Sequence, residues 1–334
     1  MSVELVEVVR SGFRECVHRG SLVVLAPDGT TSVELGEVHT PIYPRSSNKP
    51  MQAVALLRAG FVPRSTEELA IASASHEGEA AHVELVERLL EHTGLEESRL
   101  LCPPDLPGNE QARAEVLAAG APRRAVYMNC SGKHAAMLAA CVANDWPLDS
   151  YLDPTHPLQQ VVIETIADLT GEPETELGIG SFDGCGLPII PVSLTNLARA
   201  FGRLVTADPG TPERAVADAI RAHPHVISGT GRDDARLMSA VPGLLCKAGA
   251  DGVHAGALED GTAFAFKIDD GHERARLPLT AALLHRLGVN WSEDHAALAS
   301  QPVLGGSARV GTIRAVPGVF QPAQIGHSGS SQAR

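Results

Sequence analysis

The sequence predicts an α+β fold in which strands from the two ends of the chain form one antiparallel sheet around an inserted helical region. Three observations carry this. Valine-rich runs broken by a Pro-Asp-Gly turn open the chain, apolar residues at helical spacing fill its middle, and β patterning returns beyond residue 240.

Val3 to Val9 is partly alternating and Ser21 to Ala26 is a short apolar run. Pro27-Asp28-Gly29 then turns the chain, and Thr31 to Val38 completes a hairpin. Met51 to Leu57, stopped by Gly60, and Glu67 to Ser73 read as helices. Glu79 to Thr93 is amphipathic, with Val83, Val86, Leu89 and Leu90 at helical spacing, and Pro103 to Gly108 is a loop by composition. Asn129 to Trp146, Leu158 to Leu169, Leu194 to Leu204 and Pro212 to Ala222 are further helices, and the glycine-rich segment Gly178 to Gly186 separates the second of these from the third. Leu244-Leu245-Cys246 precedes a turn at Gly249 to Gly252, and Thr262 to Ile268 alternates before Asp269-Asp270-Gly271. Pro278 to Leu287 is a helix with proline in its first turn, and Ala308 to Val316 is a last strand. Residues 1–325 make one domain, and Gly326 to Arg334 is a polar tail that frays.

Composition narrows the function. Of 334 residues 44% are apolar but only 4% aromatic, so the core is aliphatic. The net charge of −13, with no Lys/Arg run, argues against a nucleic-acid or anionic-membrane binder. The N-terminus has no secretory pattern and no stretch approaches the ~18 apolar residues of a membrane span, so a cytoplasmic location is expected. Six scattered cysteines do not make a disulfide framework; they are expected as thiols that are buried, catalytic or metal-bound.

Ser46 and Lys49 have the spacing S-x-x-K, which on a helical turn puts hydroxyl and amine on one face. Lysine serves as the base for a serine nucleophile only when burial or a second cation lowers its pKa. Pro50 opposes this arrangement by biasing Lys49 away from helical dihedrals, and serine alone often just caps a helix. Ser75 and His76 precede a helix start, where a capping role competes with a catalytic one. Taken singly, Cys130 reads as a core thiol, Lys133 as a solvated amine and Cys185 as a small residue in the tight Asp183-Gly184-Cys185-Gly186 loop. Lys267 lies on a strand, on the face of Ala263 and Ala265. Lys247-Ala248-Gly249 resembles the K-[TS]-G triplet of penicillin-recognising serine enzymes, with Ala in place of the hydroxyl residue.

Together these segments resemble the rhizobial-type L-asparaginases (asparaginase II). The likeness is carried by Val9-Arg10-Ser11-Gly12, Arg45 to Pro50, Ala74 to Glu79, Asn129 to His134, Asp183 to Gly186, Gly229-Thr230-Gly231-Arg232 and Phe266 to Gly271, in that order. The resemblance implies a serine β-lactamase-like scaffold that converts L-asparagine to L-aspartate and ammonia. It implies two serine–lysine pairs, Ser46 with Lys49 and Ser75 with Lys267, and a zinc ion held by Cys130, Lys133 and Cys185 with water. Asp183, Arg45 and His76 are expected to contact substrate, and a homodimer is the implied assembly. Two other readings compete: a penicillin-recognising hydrolase, on the strength of Lys247-Ala248-Gly249, and a non-catalytic zinc-stabilised binding protein of the same fold.

Overall fold

The computed structural model describes residues 1–173, 178–289 and 297–320. The expected polar tail from Gly326 lies outside them. In chain order the strands are β1 (Val3–Arg10), β2 (Phe13–Leu25), β3 (Thr31–Leu35), β4 (Pro41–Ile42), β5 (Ser181–Phe182), β6 (Pro188–Ile189), β7 (Val192–Ser193), β8 (Leu245–Ala248), β9 (Val253–Ala257), β10 (Ala263–Ile268), β11 (Ser300–Gly305) and β12 (Ala308–Ala315). The helices are α1 (Lys49–Arg58), α2 (Thr66–Ile71), α3 (Ala80–His92), α4 (Glu110–Ala118), α5 (Ser131–Ala143), α6 (Pro157–Thr170), α7 (Leu194–Thr206), α8 (Pro212–Ala222), α9 (Pro224–Ser228), α10 (Asp233–Ala240) and α11 (Arg276–Arg286).

The main sheet runs β11-β12-β1-β2-β10-β9-β8, with β3 also on β2, and every pairing is antiparallel. The first strand lies between β12 and β2, so the sheet closes over both ends of the chain as expected, and helices α1 to α10 fall between β3 and β8. Helix α7 holds the inserted region to the sheet by packing on β2, β9 and β10. Its residues Leu194, Leu197, Ala198, Phe201 and Leu204 form one stripe, and all are fully buried. Ser193 caps it by accepting from the Asn196 amide.

The departures from the sequence reading have local causes. Strand β2 begins at Phe13 rather than Ser21, because Ser11 and Gly12 both take positive φ and make a two-residue hairpin turn. The first residues of β2, Phe13, Arg14 and Glu15, are exposed and make no apolar run. Helix α4 buries none of its residues, so it has no stripe to find in the sequence. Helices α9 and α10 and strands β9 and β11 are also additional to the expected set.

Pro50 does not break the S-x-x-K turn. Arg45–Asn48 forms a 3₁₀ turn that runs into α1, and Lys49 is fully helical at φ −59°, ψ −35°. Pro50 falls in the first turn of α1, where an amide would have no intrahelical acceptor to lose. Behind this turn lies Gly249, just past the end of β8. A Cβ there would stand 2.5 Å from the Pro44 carbonyl oxygen and 3.4 Å from the Ser47 amide nitrogen. Only glycine lets the strand approach the turn that carries Ser46. Gly249→Ala is expected to cost about 1–3 kcal/mol by forcing the two apart, read as a lower urea midpoint at an unchanged slope.

Candidate active site

Ser46, on the 3₁₀ turn, and Ser75, between α2 and α3, line one cavity of about 230 Å³. That is smaller than the ~300–1,000 Å³ usual for drug-sized ligands and suits a small metabolite. Ser75 is fixed by its own amide, which donates to the Ile227 carbonyl at 2.8 Å. The rest of the wall comes from the start of α10, the end of β8 and its turn, and the residues around α11.

Lys49 lies beneath this wall, only 1% exposed. Its amine donates to the Ala74 carbonyl at 2.6 Å and to Ser75 Oγ at 2.9 Å. The lysine of the S-x-x-K motif is therefore bonded to the other serine, while Ser46 Oγ makes no hydrogen bond among the described residues. Burial lowers the Lys49 pKa to about 7, with Lys133 and Lys247 adding to the shift and Cys130 and Cys185 opposing it. A near-neutral amine is what a serine base requires.

Lys267 does not reach Ser75. It pairs with Val253 across the β9–β10 ladder, and from that register its amine donates to the Asp251 carbonyl in the turn before β9. The second lysine of the cavity is Lys247, from the Lys-Ala-Gly triplet. It is 1% exposed, donates to the Ala248 carbonyl at 2.9 Å, and lies 3.6 Å from Asp234. Burial lowers the Lys247 pKa while Asp234 opposes. Burial would raise the Asp234 carboxyl, but Lys247, His254 and the Ala248 amide outweigh it and hold it below the usual carboxylate range. His254 bridges Asp234 at 3.1 Å and Thr280 at 2.8 Å.

The three expected substrate contacts lie outside the cavity wall. Arg45 is clamped between Asp183, at 3.0 Å, and Asp251. Its φ of +52° is unusual for a non-glycine residue, and Asp251 shares it at +55°. This clamp holds the residue before Ser46 in place. His76 is buried: its Nδ1 accepts from the Gly78 amide at 3.1 Å, so its Nε2–H faces Ser131 Oγ at 2.9 Å. Both ring nitrogens are thereby occupied in structure.

The proposed metal ligands do come together, below Lys49. The Lys133 amine is 3.6 Å from Cys185 Sγ, and the donor atoms of Cys130, Cys185 and His134 all lie within 4.8 Å of one another. His134 is the donor missed in the sequence. It is fully buried, its Nδ1 contacts the Tyr151 hydroxyl at 2.8 Å, and its Nε2 has no partner among the described residues. Two buried thiols beside an orphaned imidazole nitrogen suit a soft divalent metal such as zinc. Burial lowers the Lys133 pKa, but Cys185, Cys130 and Asp183 outweigh it and the net shift is upward. Lys133 would therefore have to release a proton to ligate.

One compositional fact links these clusters. The whole chain has four lysines, Lys49, Lys133, Lys247 and Lys267, against 23 arginines. Three are buried and the fourth is half-buried. Arginine does not deprotonate in proteins, so these four are the side-chain amines of the chain that can titrate.

Comparison with known sequences agrees with this geometry. The family model for L-asparaginase II matches residues 6–315. The chain belongs to the L-asparaginase II family. The match runs from within β1 to the end of β12 and includes both serines, all four lysines and the buried thiol pair. Membership makes the protein an amidohydrolase by family. No curated protein sequence matches the chain. Similar solved structures include a putative β-lactamase from Bacteroides dorei, at 13% identity and TM-score 0.43, over 80% of this chain and 93% of that one. A Bacillus glutaminase is similar at 13% identity and TM-score 0.35, over 81% and 91%. A β-lactamase from Desulfarculus baarsii is similar at 15% identity and TM-score 0.32, over 82% and 93%. At these scores the likenesses add no weight to the family match. Among the described residues no helix is long and apolar enough to cross a membrane.

The lowered Lys49 pKa has a stability consequence. Between about pH 7 and 10.5 the unfolded chain carries a proton on this amine that the folded chain lacks. Stability due to Lys49 therefore rises with pH across that window, by at most about 1.4 kcal/mol per pH unit. Below pH 7 the buried amine must charge and the benefit is gone. Lys49→Met is expected to remove close to one proton from the slope of unfolding free energy against pH, measured by urea titration from pH 7 to 10.

Proposed function

We propose that the chain hydrolyses the side-chain amide of L-asparagine to L-aspartate and ammonia through an acyl-enzyme. The observation that carries this reading is two serines on one small cavity, backed by a buried lysine whose pKa is lowered to about 7. Ser46 is the nucleophile. Its Oγ forms a bond to the amide carbon as Lys49 takes its proton, and the C–N bond breaks as ammonia leaves with a proton passed through Ser75. Water then attacks the ester, releasing L-aspartate and returning the proton to Ser46. Ser75 suits the relay because it already accepts from Lys49 at 2.9 Å. Lys247 takes the part first expected of Lys267: a second cation that disfavours charge on Lys49.

Zinc fits the buried donors below, where Cys130, Cys185 and Lys133 would hold it with His134 as a further donor; when bound it supplies fixed positive charge and Lewis acidity beside the cavity. The family resemblance also supports a homodimer.

The penicillin-hydrolase reading keeps one supporting observation, the Lys247-Ala248-Gly249 segment on the cavity wall. The family match weighs toward a linear amide instead.

Two measurements test this reading. Ser46→Ala should lower ammonia release from L-asparagine at least ~10³-fold with no loss of folding, since the attacking atom is removed; normal turnover would sink the nucleophile assignment. Zinc content by elemental analysis should be near one ion per chain in the wild type and should fall in both Cys130→Ala and Cys185→Ala. Full retention in both would refute the metal site.

A further inference from the structure

Seven charged residues line the cavity, and their pairing is uneven. Glu77 meets Arg232 at 3.2 Å, Arg232 meets Glu273 at 3.6 Å, and Glu273 meets Arg276 at 3.1 Å. Lys247 meets Asp234 at 3.6 Å. The remaining one, Asp233, has neither an ion pair nor a hydrogen bond among the described residues. Four acids and three bases therefore share the wall, and the acid left without an ion-pair partner among the described residues is Asp233.

A second group on the same wall is incomplete in the opposite sense. Arg276 is 8% exposed; its Nη1 donates to the Gly249 carbonyl and its Nη2 to Glu273. Its Nε–H is buried with no acceptor among the described residues. A buried unsatisfied donor on a charged group costs free energy comparable to a lost hydrogen bond. The wall thus carries one carboxylate with no ion-pair partner among the described residues and one buried guanidinium with an unsatisfied N–H, in the cavity that also holds the two serines. A ligand carrying both an ammonium and a carboxylate would complete both.

We infer that Asp233 is the residue that binds the α-ammonium group of the substrate, with the Arg276 guanidinium on the same cavity wall for its α-carboxylate. This rests on the amidase reading and adds what that reading leaves open: how the site distinguishes an amino acid from a plain acid amide. Asp183, the acid expected to contact substrate, is committed to Arg45. Burial pushes the Asp233 carboxyl up while Arg276 opposes, and a bound ammonium would favour its ionised form.

The test uses binding, so it does not depend on turnover. L-Aspartate and succinate differ only in the α-ammonium. Titration calorimetry on the wild-type protein should show L-aspartate bound about 10- to 100-fold more tightly than succinate, the scale of one charge-assisted hydrogen bond. Asp233→Asn should erase most of that difference while leaving succinate affinity and the melting temperature nearly unchanged, and Asp233→Glu should restore part of it. Absence of the preference in the wild type, or its survival in Asp233→Asn, would overturn the assignment. Ammonia release by the wild type reports separately on the amidase reading, so binding discrimination without turnover would leave the Asp233 assignment standing and the amidase reading refuted.

Discussion

The site depends on one constraint: the Lys49 amine is buried without a carboxylate partner among the described residues. Carrying a full charge out of water there would be expensive, and the Ala74 carbonyl and Ser75 hydroxyl compensate only in part. The surroundings reinforce the neutral form, because two other buried lysines, Lys133 and Lys247, are close enough to oppose charge on it. Lys247 has the Asp234 carboxylate beside it, and Lys133 lies 3.6 Å from Cys185 Sγ, whose pKa the Cys130 contact holds well below the ordinary thiol range. The arrangement divides three lysines into two that are compensated and one that is not, and the uncompensated amine touches a serine.

Holding the turn that carries Ser46 takes a separate set of contacts. Arg45 and Asp251 both sit in left-handed backbone conformations, which cost about 1–2 kcal/mol each for residues with a Cβ. They face each other as an ion pair, with Asp183 on the far side of Arg45 and Lys267 on the Asp251 carbonyl. The strut joins the 3₁₀ turn, the loop after β5 and the turn between β8 and β9. Lys267 thus belongs to the support of the serine turn. Gly249 contributes from behind by leaving room for the strand to approach.

Much of this was legible in the chain. The hairpin at Pro27-Asp28-Gly29, the α3 stripe, the capped and proline-started helices and the last strand all follow from period and turn chemistry, which are local properties. The thiol pair and Lys133 were grouped correctly by resemblance. Legibility ended where partners are distant in sequence. His134 neighbours Lys133 in the chain, yet only the fold shows its Nε2 without a partner among the described residues and turned toward two thiols. Lys247 was visible in a weak triplet with alanine at its centre, and the scarcity of lysine would have pointed to it. An apolar strand context gives a titrating lysine and a solvated one the same local signature.

The sequence by itself determined the α+β order, the serine–lysine vocabulary of the site and the acidic, aliphatic character of the chain, because these depend on residue type and short-range spacing. Tertiary structure decided which serine holds which lysine. Lys49 and Ser75 are 26 positions apart and meet only because α1 and the segment after α2 pack together. It also decided that Pro50 is harmless, that Lys247 rather than Lys267 faces the cavity, and that Asp233 is left without an ion-pair partner among the described residues. Hydrogen bonds and ion pairs act over a few ångströms, and which groups come that close is set by the packing of whole elements.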